Sequence, residues 1–240
     1  MNKIKGILID SGRVLNVSTT GNWSFSPNFF KIVGTDIFYD ISKKKRKIAF
    51  AKAWKYIDSI KIMKTIEEEY EHFSMFFTII SDELPQLKID DEKKKLLIDD
   101  FVLNFEKYTF FDDVFEILPK LSKDYKLCLV SDAWPSLREV YKKAGIYNYF
   151  DSMIISSELG VTKPSEKMYV TALKKLELNK DEVVFIDDNT QNCNGAFKLG
   201  IKAIILNRNL IMRIYSKFIL KVPYKVVKNL YGVDKFIGIL

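Results

Sequence analysis

Ile4-Lys5-Gly6-Ile7-Leu8-Ile9-Asp10-Ser11-Gly12-Arg13-Val14-Leu15 decides how the rest of the chain is read. A short isoleucine-rich run stops at a carboxylate, a glycine follows two residues later, and the sequence turns apolar again. Runs of this length and composition, bounded by glycine, read as buried strands. In an open parallel sheet ligands gather at the carboxyl ends of strands, which places Asp10 at a mouth. The competing reading is a strand-terminal aspartate that only caps a turn.

Working outward, the sequence shows two regimes. From about residue 110 short apolar runs alternate with helical spacing. Strands are expected at Lys126–Ser131, Met153–Ile155, Val183–Ile186 and Ile201–Leu206, with a last one at Lys225–Val227. Helices are expected over 114–123, 135–144, 167–176 and 191–199, and a short one over 233–239. Pro119 should kink or split the first of them. Residues 208–222 read as a loop or short helix lying on the body. Strands alternating with helices of this length imply βαβ units, hence an α/β fold with a doubly wound parallel sheet covered on both faces.

Between the first strand and residue 110 the pattern differs. Residues 16–35 read as loop, and about 36–108 carry helical apolar spacing with no strand of their own, an all-helical insertion of about seventy residues. Glu67-Glu68-Glu69 opens one helix, Leu84-Pro85 ends it, and Asp90-Asp91-Glu92 opens the next with acids in its first turn. The expected division is therefore a core of 1–15 and 109–240 and a helical insertion of 16–108.

Composition narrows the function classes. The chain has 240 residues, 48% of them apolar and 29% charged, as in a globular protein with one sizeable core. The net charge of +7 is mostly scattered lysine, with one tight run at Lys43–Lys47, which reads as solvated helix face and not as a nucleic-acid or membrane surface. No stretch is long enough for a membrane span, and no signal peptide is evident, so a cytoplasmic location without membrane or nucleic-acid partners is expected. Cys128 and Cys193 lie in apolar segments and read as reduced core residues. His72, the one histidine, lies in a helical acidic-aromatic stretch. A catalytic metal would then have to sit on oxygen ligands, which points to a hard ion such as magnesium, Mg2+.

Asp10, Ser131, Lys163 and the pair Asp187-Asp188 all fall at strand ends or in the loops after strands, so a doubly wound sheet would bring them to one edge. Clustered carboxylates repel unless a cation sits among them. A metal, a lysine and a hydroxyl around a carboxylate suit phosphoryl chemistry.

These residues resemble four motifs of the haloacid dehalogenase superfamily, in the branch with a helical cap inserted after the first strand. Asp10–Leu15 fits the nucleophile motif and Leu129-Val130-Ser131-Asp132 the second. Gly160-Val161-Thr162-Lys163-Pro164 fits the third, and Val184 to Asn192 the fourth. The continuation Gly195 to Ile201 is similar to sugar-phosphate phosphatases of the α-D-glucose-1-phosphatase type. The resemblance implies that Asp10 is a nucleophile forming an aspartyl-phosphate. It implies magnesium ligands in Asp10, the Gly12 carbonyl, Asp187 and Asp188. It gives the phosphoryl oxygens to Ser131 and the Asp132 amide, and charge neutralisation to Lys163. Arg13 stands where glycine is commoner and is a candidate phosphate or cap contact. The expected partner is a small phosphorylated substrate, and the expected state a monomer or weak homo-oligomer.

Gly12 is the departure, because most phosphatases of the family carry there an aspartate that protonates the leaving oxygen and later activates water. Such help is typically worth about 10²–10⁴ in rate. The sequence therefore supports a phosphatase first. Beside it stand a non-catalytic phosphate-ligand or protein-binding member, and a dehalogenase that needs no metal. Trp23, Phe25, Trp54 and Trp134 are the candidate substrate-lining residues.

Overall fold

A computed structural model describes residues 3–237. The opening apolar run becomes β1 (Gly6–Ile9), buried along its whole length. The chain then forms β2 (Asn16–Ser18) before turning helical: α1 (Phe29–Val33), α2 (Thr35–Asp40), α3 (Lys43–Ser59), α4 (Ile66–Glu83) and α5 (Asp91–Ile98). It returns through β3 (Tyr108–Phe110), which pairs with β2 as a two-stranded sheet. This corrects two expectations, since residues 16–35 hold a strand and two helix starts, and β3 begins at Tyr108, the last residue of the stretch read as free of strands. Both segments are only three residues long and lack an alternating pattern, so hydropathy alone does not reveal them.

After β3 the alternation expected from sequence appears. It runs α6 (Asp112–Asp124), β4 (Lys126–Ser131), α7 (Leu137–Lys143), β5 (Ser152–Ile155), α8 (Ser156–Leu159), α9 (Glu166–Leu176), β6 (Val183–Asp187), α10 (Thr190–Lys198), β7 (Lys202–Leu206), α11 (Leu210–Ile214), β8 (Lys225–Val227) and α12 (Leu230–Ile237). The end expected for the last helix, Ile239, lies outside the described residues. Helix α6 runs unbroken through Pro119. The bond the proline forfeits is that to the carbonyl of Phe115, an exposed residue, where water can replace it.

The described residues form two compact units. One comprises the chain up to Val17, Phe110–Ala133 and Tyr141 onward; the other comprises Ser18–Thr109 and Trp134–Val140. The first is a six-stranded sheet in the order β5-β4-β1-β6-β7-β8, parallel at every pairing. On one face Leu8, Cys128, Val130 and Phe185 pack with Met168, Tyr169 and Ala172 of α9 and with Cys193 and Ala196 of α10. Residues of the alternate phase, Ile7, Leu127, Leu129 and Val184, are equally buried, and α6 and α12 lie on that face. Both cysteines are free and buried. Gly6 lies close to Leu178, whose Cδ1 a Cβ there would approach to 2.5 Å, so the leucine would have to shift.

The helical unit is held by aromatic packing. Phe29, Phe38, Phe73, Phe76, Phe77 and Phe101 are buried together, and Phe25, Trp54 and Trp134 pack against them. Trp54 and Trp134 stack at 5.9 Å. Three of the four candidate substrate-lining aromatics are thus part of this core, while Trp23 is half exposed against Tyr108. A buried carboxylate fastens the same unit. Glu69 accepts hydrogen bonds from the Ser136 amide and hydroxyl, each at 2.8 Å. Burial pushes Glu69 upward and draws the buried Lys107 ammonium down to about 8, each opposed by the charge of the other. Glu69→Ala is expected to cost about 3 kcal/mol, because the Ser136 donors lose their acceptor and Lys107 loses a counter-charge. Glu69→Gln should cost less, and urea midpoints of the two variants measure the difference.

Candidate active site

Strand pairing brings the chemistry to one edge. Ile9 lies opposite Ile186 in β6 and opposite Leu129 in β4. The pairing continues one residue further, with the Asp10 amide donating to the Ile186 carbonyl at 2.9 Å. Asp10 therefore emerges beside Asp187, and Ser131 ends the strand on the other side of β1. Lys163 reaches the same edge from the loop after α8, which turns at Gly160 with φ +71°. That loop lies tight against α10: a Cβ on Gly195 would sit 2.6 Å from Pro164 Cβ and 3.1 Å from its carbonyl oxygen.

The Lys163 ammonium is buried between two carboxylates. It hydrogen-bonds Asp10 Oδ1, and it donates to Asp187 Oδ2 at 2.8 Å. Asp187 is fixed further by Asn192 Nδ2 at 3.0 Å and by the Asn189 amide at 2.7 Å. Asn192 is itself held through its carbonyl, which accepts from the Tyr169 hydroxyl at 2.8 Å. Asp10, Asp187 and Asp188 each offer an oxygen, and the three lie within 4.8 Å of one another. An all-carboxylate donor set of this kind fits a hard dication such as magnesium.

The electrostatics follow from burial. Burial lifts the Asp10 carboxyl to about 8; Lys163 opposes the rise, and Asp187 and Asp188 add to it. Lys163 is held charged, well above the usual lysine range, because the attraction of Asp10, Asp187 and Asp132 outweighs its own desolvation. Burial raises Asp188 to about 6 against the pull of Arg13. Lys163→Met is expected to destabilise by about 3–5 kcal/mol, since it leaves two buried carboxylates facing each other. The loss should shrink in the double variant with Asp10→Asn, and thermal unfolding of the pair checks this.

The turn after Asp10 is built from Ser11. Its carbonyl accepts from the Leu15 amide at 2.8 Å, and its hydroxyl shares a 2.8 Å hydrogen bond with Tyr141 while accepting from Asn16 Nδ2 at 2.8 Å. Arg13 sits in the left-handed region, φ +61°, which explains why glycine suits that place. Its Nε lies 3.1 Å from Asp188 Oδ2, so its guanidinium is engaged with an acid of the site. Gly12 opens on space: a Cβ there would meet nothing within 4 Å. The Asp132 carboxylate accepts from the Lys163 amide at 2.9 Å, joining the second and third motifs. His72 lies in α4 of the helical unit, hydrogen-bonded to Tyr56 at 2.9 Å.

The family model described as haloacid dehalogenase-like hydrolase matches residues 49–206 of the chain. The protein belongs to the haloacid dehalogenase-like hydrolases. Asp10 lies outside the matched region, and its place among the family's other residues rests on the pairing of β1 with β6. Among curated relatives, an (S)-2-haloacid dehalogenase of Burkholderia cepacia is 28% identical over 119 residues, 49% of this chain and 52% of that protein. A glyceraldehyde 3-phosphate phosphatase of Methanothermobacter thermautotrophicus is 24% identical over 161 residues, 62% of this chain and 67% of that one. The match to the first of these thus spans about half of that relative's length. The crystal structure of a haloacid dehalogenase-type phosphatase from Thermococcus onnurineus superposes with a TM-score of 0.65 at 21% identity, covering 98% of both chains. This hydrolase thus shares its fold with phosphatases and dehalogenases alike.

The structure brings together Asp10, Asp187, Asp188 and Lys163, each of which the sequence singles out. The sequence does not point to Tyr141, Asn16 or Tyr169, which reach the site through hydrogen bonds to Ser11 or Asn192. Nothing in the spacing of a buried tyrosine distinguishes it from an ordinary core residue. Among the described residues no helix is long and apolar enough to cross a membrane.

Proposed function

We propose that the protein is a magnesium-dependent phosphatase acting on small phosphomonoesters, sugar phosphates among them, through Asp10. The observation that carries this reading is the meeting of Asp10, Asp187 and Asp188 within 4.8 Å, with the Lys163 ammonium bound to the first two. Asp10 attacks phosphorus with a carboxylate oxygen, the P–O bond to the leaving group breaks, and the leaving oxygen takes up a proton. Water then cleaves the acyl-phosphate, returning the Asp10 carboxylate and inorganic phosphate. Lys163 favours the ionised form of Asp10 against its burial and holds it in place. The Ser131 hydroxyl and the Asp132 amide are the proposed holders of the phosphoryl oxygens. Asp10, the Gly12 carbonyl, Asp187 and Asp188 are the proposed ligands of a dication, which would supply charge neutralisation as phosphoryl transfer requires. Arg13, paired with Asp188, steadies that acid.

A second reading is favoured by one feature. With open space at Gly12 and no side chain there, the protein could bind a phosphorylated ligand without turning it over. Dehalogenation, suggested by several relatives, needs no cation and leaves the acidic cluster without a task. A screen of sugar, alkyl and aryl phosphates with and without magnesium separates all three. The phosphatase reading expects turnover that chelation abolishes; halide release in the presence of chelator, or binding without turnover, overturns it.

The same acids set a pH dependence. Asp10 is raised above its unfolded value, so without a cation the folded state holds a proton that the unfolded chain has released. Stability of the metal-free protein should then fall as pH rises from the ordinary carboxylate range to about 8. A cation needs the ionised carboxylates of Asp10 and Asp188, so its affinity should rise over the same window. The gain in Tm from a fixed magnesium concentration is therefore expected to be larger at pH 8 than at pH 6, and thermal shift assays at the two values measure it.

A further inference from the structure

Between Asp188 and Asp234 the sequence holds eight lysines and arginines and no acid. Inside that stretch α11 and the π-helical turn Tyr215–Ile219 that follows it form one short apolar segment. Residues 210–220 supply eight of the nineteen large apolar side chains that are exposed among the described residues. Ile211 is 75% exposed, Ile219 66% and Phe218 60%. The segment is anchored on its inner side. Asn209 caps it by accepting from the Ile211 and Met212 amides, Arg213 donates to the carbonyls of Asn207 and Arg208 at 3.0 Å, and Ser216 is buried. Met212, Tyr215 and Leu220 line a pocket with Arg13 and Asp188, while Ile211, Phe218 and Ile219 are left exposed outside it, at a cost in exposed hydrocarbon that a solitary globule would avoid.

We propose that residues 210–221 seat the protein on an anionic phospholipid surface, the apolar side chains entering the headgroup–acyl boundary. Lys217 lies within the segment and Lys221 directly follows it, both exposed, so cations border the apolar patch. This is the composition of a surface-lying amphipathic segment, which needs no spanning length. The expectation of no membrane partner rested on the missing span and on reading the scattered lysines as solvated helix faces, and neither argument included this exposed apolar segment. A protein partner fits less well, because lysine is depleted in the cores of such interfaces. A second copy of the chain would bring these cations against their own kind. Nucleic acid would answer the lysines but leave Ile211 and Ile219 without purpose.

The test is sedimentation of the full chain with vesicles of phosphatidylcholine alone or with about 30% phosphatidylglycerol. Binding at least about tenfold stronger to the anionic vesicles is expected. The triple variant Ile211→Ser/Phe218→Ser/Ile219→Ser and the pair Lys217→Gln/Lys221→Gln should each lose that binding. Circular dichroism and Tm unchanged from the parent show that the variants are folded, as their exposed positions allow. Equal binding to both vesicles or none to either overturns the proposal. So does self-association in sedimentation velocity that the triple variant removes, or salt-sensitive DNA binding that the lysine pair removes.

Discussion

Asp10→Asn is expected to lower kcat by at least about 10⁴ while leaving the protein as stable as the parent or slightly more so. The two halves of this result have different causes. The amide is nearly the shape of the carboxylate, so its oxygen can still accept from Lys163, which keeps its 2.8 Å bond to Asp187. The amide has no ionised oxygen to form the acyl-phosphate, so the covalent route closes. Stability moves the other way. Burial lifts the Asp10 carboxyl to about 8, which means that ionising it in the folded state is unfavourable near neutrality. The amide removes that cost, and Tm at pH 8 should be unchanged or higher by about 1–3 °C. Lys163→Met reverses the pattern by leaving the acids uncompensated. A folded Asp10→Asn protein that retains a substantial rate would reduce Asp10 to a turn cap, and the phosphatase reading would fall with it.

The contrast between these two substitutions shows what the sequence makes legible. Asp10, Ser131 and Asp187 lie at or just beyond the ends of apolar runs and Lys163 in a loop that follows one, and the alternation of strand and helix is enough to place them on one edge. Each run is apolar on both faces and short, so it reads as a continuous block bounded by turn residues and not through a period. Distances between strands come from register, which hydropathy does not carry. That Asp10 emerges beside Asp187 follows only once Ile9 is known to lie opposite Ile186.

The less legible features share a reason: they depend on partners far apart in sequence. Glu69 reads as one of three acids opening a helix, yet it is buried and bound to Ser136, sixty-seven residues away. The β2–β3 pair is too short to carry a period. Pro119 is read as a break by a local rule, while the exposed position of Phe115 makes the lost bond cheap. Arg13 shows the same limit. Its type suggests a phosphate contact, and the structure gives its guanidinium to Asp188, with its backbone in a conformation that the sequence does not announce.

Gly12→Asp is expected to raise kcat on alkyl phosphates by about 10²–10⁴ and to change aryl phosphates little. The leaving oxygen of an alkyl phosphate departs as a strong base and needs a proton in the transition state, whereas an aryl oxide leaves without one. Gly12 stands two residues beyond the nucleophile, and a Cβ there would meet nothing within 4 Å. Its φ is outside the left-handed region, so an aspartate adds no backbone strain. The new carboxyl would join a site already holding Asp10 and Asp188, and this company should raise its pKa, as a general acid at neutral pH requires. Arg13, 3.1 Å from Asp188, limits the repulsion. Gly12→Asn has nearly the same shape and no carboxyl proton to give, so it should stay at the parent rate. If the aspartate variant folds, binds magnesium and remains at that rate on alkyl phosphates, the proton is already supplied by another group or chemistry is not the slow step. A gain confined to poor leaving groups would instead trace the slow step to a single missing carboxyl, on a frame of Asp10, Lys163 and the paired acids otherwise equipped for phosphoryl transfer.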